Sequence, residues 1–200
     1  ETSPVLSANG PSCNTLGTVG PPLEGVKLRI DSSHGLAGEI LVRGAMVMKG
    51  YFRNSEATKE VFDRGWFKTG DLGYLDERGN LVICGRKKSL IITANGKNIY
   101  PEELEGIYGQ SPLIKEICIL GERDRLGGER PFAFIVARED CSGDAKVIEA
   151  ELLRIGKSLS PFKRITRWQF HEGDLPKTST KKTKRFVLEE LRSKNLSTDE

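Results

Sequence analysis

Alternating apolar and polar residues predict short strands in the first half of the chain. Residues 26–30 and 39–43 alternate in this way, which is typical of strands with one buried face. Residues 72–76 and 80–84 are strand-like as well, and the Glu-Arg-Gly between them predicts the turn of a hairpin. Residues 1–25 are rich in Gly, Pro, Ser and Asn, so we expect loops and turns there.

The pattern changes near residue 87, where helices are predicted among the strands. Pro101 and the acidic residues after it predict the start of a helix, and residues 145–159 carry an apolar helical face. A final helix is predicted over residues 183–192. Strands are predicted at four further places, residues 89–93, 115–120, 131–138 and 166–171.

These elements together predict an α+β fold class with two parts. Residues 1–86 would form a strand-rich, barrel-like and incomplete piece, whose one short helix covers residues 54–62 with Asn54 as its N-cap. Residues 87–200 would form a smaller α+β domain. A chain of 200 residues is long enough for one large domain or two small ones.

The composition fits a globular protein and weighs against a nucleic-acid-binding surface. Hydrophobic residues make up 37% of the chain and charged residues 30%. The formal net charge is +3, but five basic residues lie within 177–185, so the rest of the chain is slightly acidic. Because proteins that wrap nucleic acid carry a broad basic face, we expect no nucleic-acid partner.

The cysteines and the apolar runs bear on the cellular setting. Cys13, Cys84, Cys118 and Cys141 lie far apart and lack metal-ligand spacing, which favours reduced thiols and a cytoplasmic location. No apolar run approaches the roughly 20 residues of a membrane helix, and we find no signal peptide. Because the chain begins without Met, we expect a piece of a longer protein.

Four local motifs carry candidate chemistry, and each also has an ordinary structural explanation. Asp71 could accept hydrogen bonds from a ribose diol, or it could cap a turn. Arg86 could bind the same diol or a phosphate, or lie in a solvated turn. Gly96 would let a ligand approach the backbone, but Asn-Gly is also a turn dipeptide. The basic residues 177–185 could place a lysine on a phosphate, form a solvated face, or contact nucleic acid nonspecifically.

The order and spacing of five longer motifs favour the functional explanations. They are GTVGPPLEG at 17–25, GEILVRG with GY at 38–51, GWFKTGD at 65–71, GRKKSLI with PEELE at 85–105, and PKTSTKK at 176–182. Over essentially the whole chain they resemble the adenylate-forming superfamily of acyl-CoA synthetases, firefly luciferase and nonribosomal adenylation domains. Within that superfamily the chain is most similar to long-chain fatty acid–CoA ligases.

The resemblance implies a reaction in two steps. A carboxylate attacks the α-phosphate of Mg-ATP to give an acyl-adenylate and pyrophosphate, and the thiol of coenzyme A then displaces AMP. Members of the family rotate a small C-terminal lid between the steps, and residues 87–200 would be that lid. Residues 1–86 would be the last part of the AMP-binding large domain.

The family's motifs assign a role to each candidate residue. Lys182 matches the lysine that bridges carboxylate and phosphate oxygens during adenylation, so it is the predicted catalytic residue. Asp71 matches the ligand of the ribose diol, and Arg86 would assist it in nucleotide binding. Lys88 matches the hinge position, and Gly96 matches the loop that lines the thiol tunnel in the second step.

The resemblance also extends to Glu1 and has two departures. Glu1 matches the end of a motif whose glutamate helps to hold Mg²⁺. Position 181 is lysine where the family usually has glycine, which helps the loop to bend, so Lys181 could act in place of Lys182. The phosphate-binding loop and the acyl pocket are expected farther upstream and are not in these residues, so we expect this stretch alone to be inactive.

Three functional hypotheses follow, and the first is favoured. The whole protein would be a fatty acid–CoA ligase whose partners are the small molecules fatty acid, ATP and coenzyme A. It could instead be a fatty acyl-AMP ligase that loads a carrier protein. The third hypothesis is a non-catalytic module that binds an anion or nucleic acid through residues 177–185. Peripheral membrane association of the full-length protein stays open.

Overall fold

The structure is a computed structural model, and it describes residues 1–11, 14–32, 37–125, 127–138 and 144–196. The fold class is α+β, as the sequence predicts. The chain divides into two compact units, Glu1–Lys88 and Ser89–Glu200, whereas the sequence analysis placed a boundary after Arg86. Cys13 and Cys141 lie outside the described residues. None of the described helices is long and apolar enough to cross a membrane.

The first unit is built on a five-stranded antiparallel sheet. Its strands are β1 (Lys27–Asp31), β2 (Gly38–Arg43), β3 (Phe62–Asp63), β4 (Trp66–Leu75) and β5 (Leu81–Arg86). β2 lies between β1 and β4, and both β3 and β5 pair with the other edge of β4. Helix α1 (Ser55–Val61) has the predicted cap, because the Asn54 side chain accepts a hydrogen bond from Ala57 N at 3.0 Å.

The core of this unit differs from its sequence pattern at β2. Alternation predicted one buried face, but the five residues of β2 before Arg43 are all buried. Leu6 and Val19, from the loop region before β1, are among the side chains packed against the cluster that contains Ile40 and Val42. That region is tied to β5 by the hydrogen bonds Val19 N to Leu81 O and Leu81 N to Gly20 O, both 2.8 Å. Loop chain therefore helps to cover the face of Ile40 and Val42, while Glu39 and Leu41 are buried on the other face.

The second unit contains a three-stranded sheet in the order β10-β9-β8, with helices packed on it. The strands are β8 (Ile114–Arg123), β9 (Glu129–Ala137) and β10 (Arg167–Phe170), and β10 runs parallel to β9. A two-stranded ribbon comes first, formed by β6 (Ile91–Ile92) and β7 (Asn98–Ile99). The helices are α2 (Pro101–Tyr108), α3 (Ala145–Gly156) and α4 (Arg185–Leu196).

Apolar side chains of β8 and β9 pack into two clusters on opposite faces of the sheet. One cluster contains Ile119 and Ile135 with residues of α2 and α3. The other contains Cys118 and Phe134 with Leu188 of α4. Burial raises the pKa of the Cys118 thiol to about 12, so it stays protonated near neutral pH and is unreactive.

We expect the stability of the second unit to depend on Glu151 in a pH-dependent way. Its carboxylate bonds to Arg154 Nε and to Ser111 Oγ, both at 2.7 Å. Hydrogen bonding from Arg154, which outweighs the opposing effect of burial, lowers the pKa of Glu151 from 4.5 to about 2. The folded pKa is below the unfolded one, so this stabilisation is complete above pH 4.5 and is lost as the pH falls toward 2.

Glu151→Gln should therefore lower the free energy of unfolding near neutral pH by roughly 1 kcal/mol. The difference from the parent should shrink as urea unfolding is repeated at progressively lower pH. Glu149→Gln, at an exposed position of the same helix, is the matched control and should change little at any pH. A Glu151→Gln effect that stays constant down to the lowest pH would contradict this assignment.

Candidate functional site

Strands β4 and β5 bring Asp71 and Arg86 together as direct cross-strand neighbours. Arg86 Nε lies 2.8 Å from Asp71 Oδ1, and Arg86 Nη1 donates to Thr69 O at 3.5 Å. The Asp71 side chain is 31% exposed and the Arg86 side chain is 56% exposed. The pair predicted to bind nucleotide is thus assembled by strand register and presents a carboxylate beside a guanidinium to solvent.

A kink in β4 orients Asp71. Gly70 has a φ of 72°, a conformation that favours glycine, and the β4–β5 register shifts between Leu72 and Gly73. The Thr69 hydroxyl donates to Ile40 O at 2.8 Å and accepts from Asp71 N at 3.1 Å. Sequence reasoning missed this role of Thr69, although its place beside a glycine in an otherwise extended segment was a signal of local strain.

The predicted hinge residue, Lys88, lies where the two compact units meet along the chain. It is exposed and sits in the 3₁₀ turn Lys87–Ser89 directly after β5. Its neighbour Lys87 is fixed within the first unit, because its ammonium lies 2.7 Å from Glu39 Oε2 and Glu39 is buried. The buried Glu39 partner was not predicted, since a charged residue in an alternating strand is usually solvated.

Gly96 lies in a tight turn between β6 and β7, spanning residues 93–97. Gly96 N donates to Thr93 O at 2.9 Å, Thr93 N donates to Lys97 O at 3.0 Å, and Lys97 N donates to the Thr93 hydroxyl at 3.0 Å. Gly96 has a φ of 68°, and no atom lies within 4 Å of the position that a Cβ would occupy. This is a three-residue hairpin loop whose third position is left-handed, and its backbone is open to an approaching ligand.

Lys182 lies in a turn of the same construction, residues 178–182. Lys181 N donates to Thr178 O at 2.9 Å, Thr178 N donates to Lys182 O at 2.8 Å, and Lys182 N donates to the Thr178 hydroxyl at 3.1 Å. A bridge between Lys177 and Thr183 extends the pairing. We call residues 176–184 the Lys182 hairpin, because Lys184 N closes it by donating to Pro176 O at 2.7 Å.

Lys181 occupies the left-handed position that Gly96 holds in the other turn. Its φ is 61°, against 68° for Gly96. The bend for which the family's glycine is needed is therefore present here, made by a lysine at a cost of about 1 kcal/mol. Because Lys181 forms the bend, Lys182 keeps the position next to it that the motif predicts.

Lys181→Gly should stabilise the Lys182 hairpin, since glycine adopts this conformation without the steric cost of a Cβ. We expect a rise of about 1 kcal/mol or less in the free energy of unfolding, measured by urea denaturation. Ser179→Gly, in the same turn but outside the set of residues with positive φ, should have the opposite sign. Equal effects of the two glycines would argue against strain at Lys181.

The structure sorts the basic residues of 177–185 into two groups. Lys177 pairs with Glu116 at 2.6 Å, and Arg185 pairs with Glu105 at 2.8 Å. Among the described residues the ammonium groups of Lys181, Lys182 and Lys184 have no ion-pair partner. Lys182 is exposed and Lys184 is half-buried. The run is thus partly structural, which weakens the hypothesis of a uniform anion-binding arm.

Glu1, which the resemblance matches to a magnesium ligand, lies in the first unit beside Tyr51. The Tyr51 hydroxyl donates to the Glu1 carboxylate, and this hydrogen bond raises the pKa of Tyr51. No group of three or more His, Cys, Asp or Glu within the described residues could hold a metal ion by itself. Mg²⁺ commonly uses one or two carboxylates with substrate phosphates, and the exposed Glu1 fits that arrangement with a nucleotide supplying the other oxygens.

Comparison with known families identifies the second unit. The family model described as the AMP-binding enzyme C-terminal domain matches residues 103–182, which include β8, β9 and the turn with Lys182. This chain carries an AMP-binding C-terminal domain. The 2-succinylbenzoate–CoA ligase of Bacillus pumilus is 39% identical over 183 residues, covering 88% of this chain and 36% of the relative.

Two further relatives extend the likeness of the chain to coenzyme A ligases and synthetases. Long-chain-fatty-acid–CoA ligase FadD15 of Mycobacterium tuberculosis is 51% identical over 107 residues, or 54% of this chain and 17% of the relative. The o-succinylbenzoate CoA synthetase MenE of Bacillus subtilis, solved with the acyl-adenylate OSB-AMP, gives a TM-score of 0.76 at 34% identity, covering 86% of this chain and 35% of that one. The same enzyme has been solved with ATP and a magnesium ion.

These relatives are much longer than this chain. It spans about a third of the length of the 2-succinylbenzoate–CoA ligase and of the solved synthetase that it matches. The structure brings Asp71 and Arg86 together in the first unit, which also holds Glu1 and Lys88. Gly96 and Lys182 lie on separate turns of the second unit, the one that contains the AMP-binding C-terminal domain.

Proposed function

We propose that this chain is the C-terminal part of an acid–thiol ligase that activates a fatty acid with Mg-ATP and transfers the acyl group to coenzyme A. The observation that carries this proposal is the hairpin that presents Lys182, exposed and without an ion-pair partner among the described residues, in an AMP-binding C-terminal domain. Its relatives include ligases named for coenzyme A as the acceptor.

The role of Lys182 would be to offset charge during adenylation. A carboxylate and a triphosphate repel each other, and an ammonium placed between them stabilises the approach and the charge that develops on the phosphate oxygens. We assign this role to Lys182 rather than to Lys181, because Lys181 occupies the position of the motif's bend and Lys182 the position that follows it. The backbone of Lys182 is held by its hydrogen bond to the Thr178 hydroxyl, which fixes the point from which the side chain extends.

Asp71 and Arg86 would bind the ribose of the nucleotide. A carboxylate can accept a hydrogen bond from each of two adjacent hydroxyl groups, and a guanidinium beside it can donate to a sugar or phosphate oxygen. Both side chains are partly exposed, and their strand register fixes them next to each other. Glu1 would contribute a carboxylate oxygen to Mg²⁺ on the phosphates; the metal supplies charge neutralisation there.

Lys88 and Gly96 would serve the change between the two steps. The boundary between the compact units falls directly after Lys88, which supports its role as a hinge. Gly96 has no side chain, and the space that a Cβ would occupy is open. This supports the passage of a thiol along the backbone at Gly96. Rotation about Lys88 would then exchange the turn that presents Lys182 for the turn that contains Gly96.

Fatty acid is the proposed acid, and the whole enzyme provides the test. Support comes from the 51% identity to a long-chain-fatty-acid–CoA ligase over 107 residues, while the longer matches include 2-succinylbenzoate–CoA ligases. AMP release should be measured with a series of fatty acids and with 2-succinylbenzoate, each with coenzyme A or with a phosphopantetheine carrier protein. We expect release with fatty acid and coenzyme A.

Each other outcome of that experiment supports a different function. AMP release with 2-succinylbenzoate alone would replace the fatty acid by an aryl acid. Release that requires the carrier protein would favour the acyl-AMP ligase. Absence of any acid-dependent pyrophosphate exchange, together with salt-sensitive DNA binding, would favour the non-catalytic module, whose binding should depend on all the basic residues of 177–185.

A further inference from the structure

The tip of the Lys182 hairpin has no packing of its own to hold it in place. Residues 178–182 are all exposed, and the hydrogen bonds among Thr178, Thr180, Lys181 and Lys182 run within the turn. A surface hairpin of this length is not stable by itself. The position of Lys182 in the domain is therefore set by the attachments at the two ends of the hairpin.

The entrance to the hairpin is attached to β8 mainly through Glu116. One carboxylate oxygen of Glu116 accepts from Leu175 N at 3.3 Å, and the other bonds to Lys177 Nζ at 2.6 Å. Leu175 itself is buried in the cluster with Cys118. The nearby pair of Lys115 and Asp174 is largely exposed, and such pairs contribute little.

The exit is attached through Arg185, the first residue of α4 and the third after Lys182. Its guanidinium donates to Ile119 O at 2.6 Å, to Glu105 Oε2 at 2.8 Å and to Glu102 Oε1 at 3.3 Å. Glu105 Oε1 accepts from Ile119 N at 2.7 Å, so Arg185 and Glu105 together take both backbone groups of one β8 residue. The Arg185 side chain is 21% exposed, which makes this a shielded network.

Glu102 shows how much this network depends on the guanidinium. Its second oxygen, Oε2, is buried and has no hydrogen-bond partner among the described residues. Its other oxygen, Oε1, accepts a hydrogen bond from Arg185. A planar guanidinium can serve a carbonyl and two carboxylates at once, whereas an ammonium is a point charge on a flexible stem. Lysine at position 185 would retain charge compensation but lose the multiple attachment.

We propose that Arg185 is a positioning residue for Lys182, joining the exit of the Lys182 hairpin to β8 and α2 so that the ammonium is held in one place for adenylation. This inference rests on the proposed function of Lys182. Helix α2 begins five residues after Gly96, so the same network ties the hairpin to the helix that follows the second functional turn. Arg185 would not touch substrate.

The experiment compares Arg185→Lys with a matched arginine on the same helix. Arg192 also donates to a β8 carbonyl, Gly121 O at 2.7 Å, but it lies one to two helical turns farther from Lys182. In the whole enzyme, acyl-adenylate formation and thioester formation from added acyl-adenylate are measured separately for Arg185→Lys, Arg192→Lys and Lys182→Ala. Thermal unfolding is followed for each variant.

We expect Arg185→Lys to lower kcat of adenylation by about 10- to 100-fold, since small misplacements of a catalytic group have effects of this size. KM for ATP and the thioester step should stay within about 3-fold of the parent, because only the placement of Lys182 changes. Arg192→Lys should leave both steps within the same range. This combination supports the proposal.

Four results would overturn the proposal. Parallel losses of both steps in Arg185→Lys would mean a general structural role, and a loss in Arg192→Lys equal to that in Arg185→Lys would mean the same. Unchanged adenylation in Arg185→Lys, with Lys182→Ala impaired, would reject positioning while leaving the proposed function intact. Unchanged adenylation in Lys182→Ala would remove the proposed role of Lys182, and the inference with it.

Discussion

Lys182→Ala is expected to lower acid-dependent ATP–pyrophosphate exchange by the whole enzyme about 100- to 1000-fold, the range seen when one preorganised group that stabilises developing charge is removed. The alanine leaves the carboxylate and the triphosphate without the ammonium that offsets their repulsion. The turn should survive, because its hydrogen bonds involve the backbone of Lys182 and the Thr178 hydroxyl. Thermal unfolding should therefore change little.

Lys184→Ala is the matched control for this prediction. Lys184 lies two residues farther on, is half-buried, and closes the hairpin through its backbone N–H. Like Lys182, it has no ion-pair partner among the described residues. We expect exchange within about 3-fold of the parent, since its charge is not placed at the turn. Equal losses in the two variants would mean that the basic run acts collectively.

Asp71→Ala is the second large prediction, and it concerns the nucleotide. We expect KM for ATP to rise about 10- to 100-fold, because hydrogen bonds to a charged acceptor contribute roughly 1.5–3 kcal/mol. The ion pair with Arg86 is partly exposed, so its loss should cost at most about 1 kcal/mol of stability. Asp63→Ala, at an exposed position of β3, should leave KM unchanged.

A comparison of ATP with its deoxyribose analogues sharpens this test. If Asp71 accepts from the diol, the parent should lose affinity for 2′-deoxy- and 3′-deoxy-ATP, and Asp71→Ala should lose little more with either analogue. Such non-additive losses would show, as in a double-mutant cycle, that the ribose hydroxyl and the Asp71 carboxylate interact directly. An additive loss, the same in parent and variant, would show that Asp71 acts elsewhere.

The sequence predicted where strands and helices lie more reliably than which faces of those elements are buried. Strands and helices with clear alternation or capping are present, including α1 with Asn54 as its N-cap. The strand over GWFKTGD was missed, because Lys68 to Asp71 do not alternate; pairing with β2 at Phe67–Lys68 and again at Leu72–Gly73 continues the strand across the kink at Gly70. Burial of both faces of β2 was missed because the alternation of one strand does not show what packs on its second face.

In the candidate site, too, features set by neighbouring residues could be predicted and features set by distant residues could not. The turn at Gly96 follows from an Asn-Gly dipeptide, and the glycine takes the left-handed conformation. Nothing local indicated that Lys181 would take it as well; that required the flanking pairing of the hairpin. The Arg185 network joins residues 66 to 83 positions apart in sequence, so no local pattern could predict it.

The most direct test of the central claim separates the two steps in a single variant. Lys182→Ala of the whole enzyme is given either fatty acid with Mg-ATP, or presynthesised acyl-adenylate with coenzyme A. We predict that adenylation falls by about 100-fold or more, while thioester formation from the acyl-adenylate stays within about 3-fold of the parent, because Lys182 acts only in the first step. Equal loss of both steps, or undiminished adenylation, would contradict the assignment of Lys182.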